Sequence, residues 1–137
     1  MRLLKRGLIV FAGLIVVMAV ALVINDRIQT ARSERFYAEH PMLRAMDKTP
    51  LDGGRGWERF TPVLLERVPI GSTRADAIRI LGDEGLACAA STVPKPGSLQ
   101  CSPPTQPATV QRWYIQVEFD SDNKVSGGKV LMFKASA

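Results

Sequence analysis

The chain has 137 residues, with 18 Lys and Arg against 13 Asp and Glu and a formal net charge of +5. That length suits one folded domain rather than two. The excess charge is unevenly placed: removing Arg2, Lys5 and Arg6 from the 18 basic residues leaves 15 against 13 acidic ones, interspersed along the rest of the chain. Phosphate binding needs a concentrated basic face, so no nucleic-acid partner is expected.

Residues 8–24 form an uninterrupted run without a charge. At 1.5 Å per residue such a helix covers roughly 25 Å, near the lower limit for crossing a bilayer core. Leu3 and Leu4 extend it, with Lys5 and Arg6 able to snorkel toward head groups. No polar residue inside the run marks an ion path or a proton relay. Two readings remain. Ala19-Val20-Ala21 has the small-x-small form of a cleavage site, which would release the domain on the far side of the membrane. Leu22, Val23 and Ile24 carry the apolar stretch past that site and favour a retained signal-anchor over residues 1–25. Arg27, Arg32 and Arg35 balance the basic residues ahead of the run, so the very short N-terminal tail decides the orientation: amino terminus inside, C-terminal domain outside. No Cys follows the run to accept a lipid.

Residues 26–57 are expected to be a helical stalk and a Gly-rich linker. The polar stretch 25–38 has no Pro or Gly and can continue the helix until Pro41 limits it. His40, the only histidine, reads as a solvated stalk residue. Pro50, Gly53, Gly54 and Gly56 mark the linker and place the start of the domain at residue 58.

Residues 58–68 form a candidate helix with Pro62 in its first turn. A second helix is signalled by Thr73 with Asp76, at the spacing of a capping box. Ala75, Ile78 and Leu81 would be its buried face, and Gly82 its left-handed end. Asp83 and Glu84 at that end are expected to face solvent. Residues 86–91 read as a strand, and residues 92–108, with five of the nine prolines, as a loop. Trp113, Ile115, Val117 and Phe119 alternate with Arg112, Tyr114, Gln116 and Glu118, the pattern of a half-buried strand. Residues 120–124 turn the chain and 125–133 return as a strand, where Gly127 and Gly128 indicate a bulge or a close backbone approach. The expected class is α+β: an N-terminal transmembrane helix, two short helices and a small antiparallel sheet of about three strands.

Candidate chemistry is sparse. One His and two Cys cannot complete a structural zinc site without carboxylates, whose spacing is not offered. No G-x-S-x-G or S-x-x-K motif occurs, and Gly53-Gly54-Arg55-Gly56 lacks the Lys-Ser/Thr ending of a phosphate loop. No catalytic residue, metal or cofactor is therefore expected. Cys88 and Cys101 are the one pair with a role to assign: in an exported domain a disulfide would close the proline-rich loop. Trp113 falls on the apolar face and is expected in the core. Arg112, Tyr114 and Gln116, on the opposite face, form the candidate interaction surface.

The run Val68-Pro69-Ile70-Gly71-Ser72-Thr73-Arg74-Ala75-Asp76-Ala77-Ile78-Arg79-Ile80-Leu81-Gly82 resembles the small envelope domains of the SmpA/OmlA/BamE-like family. Val117-Glu118-Phe119-Asp120, with Asp122-Asn123-Lys124-Val125 after it, is similar to that family's late hairpin. The resemblance spans roughly residues 60–133. It implies an α+β fold over residues 58–137, a cell-envelope location and a role in envelope assembly or maintenance. The function expected on these grounds is non-enzymatic: an inner-membrane, single-pass protein of Gram-negative type whose periplasmic domain binds a protein partner. The alternative is a binding module for a small ligand such as lipid or a cell-wall fragment, using Arg112, Tyr114 and the 92–108 loop.

Overall fold

The computed structural model describes residues 2–50, 56–92 and 96–133. Contacts divide the chain into two units, Met1–Glu34 and Arg35–Ala137. The first is helical throughout, as part of α1 (Arg2–Glu39). Every large apolar side chain of residues 8–24 is exposed, from Val20 at 52% to Leu8 and Val10 at 72%. A helix apolar on all sides with nothing packed on it has the length and composition to cross a membrane.

The second unit begins earlier than the linker signals indicate. Phe36, in the last turns of α1, is already buried. Pro41 cannot continue α1, because its ring displaces the preceding turn and it has no N–H to donate. It starts α2 instead (Pro41–Asp47), which buries Met42, Leu43 and Met46. Residues expected to be stalk are thus core, and the boundary at residue 58 moves back to about Arg35. The glycine-rich residues 51–55 lie outside the described residues. A 3₁₀ helix, Gly56–Phe60, then leads into α3 (Thr61–Arg67), with Pro62 in its first turn and Leu64 buried.

In α4 (Arg74–Asp83) the capping signal holds: Thr73 Oγ1 accepts the Asp76 N–H at 3.2 Å. Its buried face does not follow the expectation. Ala77 and Leu81 are buried, whereas Ala75 is exposed and Ile78 is 43% exposed. Apolar residues occur on two sides of this short helix, so periodicity alone could not choose between them. The left-handed end is Gly85 (φ 78°) rather than Gly82. Leu86 N–H reaches back to Leu81 O and Gly85 N–H to Gly82 O, a hydrogen-bond pair that satisfies the last carbonyls of the helix.

Among the described residues the sheet has four antiparallel strands in chain order: β1 (Ala87–Ser91), β2 (Ser98–Ser102), β3 (Arg112–Phe119) and β4 (Val125–Phe133). One more strand is present than expected. It is β2, which lies in the region assigned to loop, and its short Leu99-Gln100-Cys101 alternation sits between Pro96 and Pro103. Trp113, Ile115 and Val117 are buried along β3, with Phe60 edge-on to Trp113 at 5.3 Å. Both glycine expectations in β4 are met. A register shift falls beside Gly127, and a Cβ on Gly128 would lie 2.6 Å from Leu64 Cδ2. Residues 71–72 pair with Val125 and cover the start of the β4 edge.

Candidate functional site: the open face of the sheet

The alternation along β3 separates two surfaces. Trp113, Ile115 and Val117 enter the core, so Arg112, Tyr114, Gln116 and Glu118 must point the other way. Arg112 is exposed, and Tyr114 and Gln116 are half-buried. Their cross-strand neighbours extend the same face: Gln100 on β2 opposite Gln116, then Lys129, Leu131 and Phe133 on β4. Tyr114 packs edge-to-face on Phe133 at 5.7 Å, and Phe133 remains 54% exposed. The three residues singled out from the sequence therefore share one surface.

Cys88 and Cys101 are joined by a disulfide bond, and among the described residues no cysteine is free. They face each other directly in the β1–β2 ladder. The bond therefore ties two strands, not a strand to a loop, because Cys101 lies within β2.

At the lower end of this face the chain makes a cleft of about 230 Å³, lined by Ser102, Pro103, Pro104, Gln106, Arg112 and Tyr114. Its cause is local. The β2–β3 ladder ends at Cys101 opposite Ile115, so the Trp113 N–H has no strand partner on that side. Gln106 Oε1 accepts it instead at 3.1 Å, which pins residues 103–106 beside β3 without closing the gap. A second cavity of about 500 Å³ is lined by Asp47, Thr49, Pro50, Arg59, Phe60, Gln111 and Met132.

His40 and Glu84 sit differently from the sequence expectation. His40 is 6% exposed, with Nδ1 donating to Phe36 O at 2.7 Å and Nε2 3.2 Å from Gly85 O. Its ring stacks on Phe36 at 4.4 Å. Both ring nitrogens meet backbone carbonyls, so the residue fastens the end of α1 to the turn after α4 and presents no free nitrogen to a ligand. Glu84 is 8% exposed; Oε2 accepts the Met42 N–H at 2.9 Å and Oε1 accepts from Arg67 at 3.1 Å. A buried carboxylate needs such partners, because desolvation without them would be costly. Glu84 follows Ala77 and Leu81 at the i, i+4, i+7 spacing of one helix side, and the Met42 N–H and Arg67, supplied from elsewhere in the chain, make its burial tenable. Tyr37 is half-buried beside these elements, and burial pushes its hydroxyl up to about 12, with Trp113 opposing and Asp47 reinforcing the shift. Among the described residues no group of three His, Cys, Asp or Glu side chains could hold a metal ion.

Fold and surface together define an α+β domain with an open-faced antiparallel sheet, carried on a chain with one long apolar helix. No family model matches the sequence, and neither curated proteins nor solved structures show a match.

Proposed function

We propose that this chain is a non-enzymatic, membrane-anchored protein of the cell envelope whose periplasmic domain binds another protein through the open face of its sheet. The observation that carries the reading is the composition of that face. Arg112, Tyr114, Gln116 and the exposed Phe133 combine aromatic area with polar groups, the mixture enriched where proteins bind one another. The disulfide adds support for an oxidising compartment, where such bonds persist. The resemblance of residues 60–133 to SmpA/OmlA/BamE-like domains agrees with the envelope location. A helix long and apolar enough to cross a membrane supports an inner-membrane anchor, and the very short N-terminal tail supports a periplasmic carboxyl terminus.

Two measurements test this. A reporter active only outside the cytoplasm, fused after Ala137, is expected to be active; a silent reporter beside an active cytoplasmic one would overturn the compartment. A photo-crosslinking residue at Gln116 is expected to capture a reproducible polypeptide, and one at exposed Arg79 on α4 is not. Equal capture from both positions, or from neither, would remove the open face as the binding surface.

A further inference from the structure

We infer that the cleft between residues 102–106 and β3 is a receptor for the free carboxylate end of a peptide, an inference that rests on the open face being a binding surface. The side chains lining it are Ser102, Gln106, Arg112 and Tyr114, with Pro103 and Pro104, and none carries a negative charge. Among the described residues the side chains of Ser102, Arg112 and Tyr114 make no internal hydrogen bond, and Gln106 has its orientation set. Gln106 spends Oε1 on the Trp113 N–H, so the polar atom it has left is the Nε2 amide donor. Arg112 is exposed and forms no ion pair among the described residues. The Ser102 and Tyr114 hydroxyls complete a set that can donate from several sides to one anion.

The chemistry selects a carboxylate over a phosphate. One guanidinium balances one negative charge and matches a carboxylate in a planar, two-bond geometry. Phosphate sites are commonly built from successive backbone N–H groups or several cations. Here Pro103 and Pro104 have no N–H to give. Size points the same way: about 230 Å³ is below the range for a drug-sized ligand and suits a terminal residue with its carboxylate. The proline rings and the Tyr114 ring supply apolar walls for that residue's side chain. The rest of the peptide can run onto the open face past Gln116. The ligand's source is either the C-terminus of a partner protein or a stem peptide of the cell wall, which share this end group and differ in the handedness of the last residue.

The test uses the full chain in nanodiscs and an N-terminally fluorescent peptide ending in Ala-Ala, read by polarisation. Free-acid peptide is expected to bind, and its C-terminal amide to bind at least tenfold more weakly. Arg112→Gln should lose at least tenfold, with Arg112→Lys between the two. Gln106→Glu keeps the acceptor for the Trp113 N–H but turns the donor into a carboxylate, so it should lose at least tenfold without unfolding the domain. Arg79→Gln, exposed on α4 and off the open face, should bind within twofold of the parent. Equal affinity for acid and amide, equal loss from Arg79→Gln, or better competition by inorganic phosphate would overturn the inference. A final L-Ala or D-Ala in the peptide separates the two sources. If Gln116 captures a protein in cells while the carboxylate series shows no preference, the cleft inference fails and the binding face stands. If Gln116 captures nothing while the series behaves as expected, the protein-partner reading fails and the cleft remains a small-peptide site.

Discussion

Residues 8–24 and β3 are built from much the same apolar side chains, yet they dispose of them in opposite ways. In the helix, Val16, Leu22 and Ile24 stand 61%, 67% and 54% exposed. In β3, Trp113, Ile115 and Val117 are at most 1% exposed. At about 25 cal/mol per Å² of apolar area, the strand gains its stabilisation from packing inside the domain. The helix gains none that way within the chain, and it is long and apolar enough to cross a membrane. The difference teaches that one composition can serve two solvents, and that burial, not hydrophobicity, tells them apart.

The largest expected effect comes from making the helix resemble a water-soluble one. Two arginines in its centre, Ile15→Arg with Val16→Arg, each add about 2.5–3.5 kcal/mol to insertion. The doubly substituted chain is expected to leave the carbonate-resistant membrane fraction, with its disulfide still formed if the domain is exported. Continued membrane retention would mean that another part of the chain supplies the attachment.

The next effect lies on the buried side of β3. Trp113→Ala removes a fully buried ring and its contact with Phe60, at an expected cost of about 3–5 kcal/mol in chemical denaturation. Tyr114→Ala, one residue away on the open face, should cost much less stability and instead weaken partner capture. A similar loss from both would erase the distinction between the two faces of the strand.

Removing the disulfide with Cys88→Ser and Cys101→Ser comes third. With the cysteines 13 positions apart, loop entropy predicts about 3 kcal/mol, seen as a denaturation midpoint lower than that of the oxidised parent. Gly128→Ala follows at about 1–3 kcal/mol, because its Cβ would be 2.6 Å from Leu64 Cδ2 and 3.1 Å from Gln116 O. A neutral result would show that α3 can move away from β4 without loss.

Much of the same contrast was readable from residue order, and the gaps have physical causes. Alternation in β3 is long enough to identify the strand and assign each face, so Arg112, Tyr114 and Gln116 could be grouped before any coordinates. The Cys88–Cys101 pairing was equally accessible. Strand β2 was hidden because it holds five residues between prolines, and its identity comes from hydrogen bonds to strands on both sides. His40 and Glu84 are typical surface residues by type; long-range partners at Gly85, Met42 and Arg67 make their burial tenable. Gly82 lost the helix end to Gly85 for a related reason, since the helix gains another turn when Glu84 has a buried place to go. The cleft could not be foreseen from spacing, because it depends on Gln106 reaching a strand N–H left unpaired where a ladder stops.

The smallest expected effect is at the start of the second unit, where Tyr37 meets the core. Burial pushes its hydroxyl from 10.0 up to about 12, so the folded state holds the proton more tightly than the unfolded one. The resulting stabilisation is complete below pH 10 and is lost as pH rises through about 12. Tyr37 remains partly exposed, so solvent screening reduces the effect on stability. The chain has two tyrosines, and Tyr114→Phe leaves tyrosinate absorbance to report on Tyr37 alone. In that variant, ionisation should lag a free tyrosine and coincide with loosening of the domain; in Tyr37→Phe the alkaline transition should move to higher pH. Titration of Tyr37 at the ordinary value would mean that the end of α1 is not held against the domain core in solution, and the boundary at Arg35 would have to move toward α2.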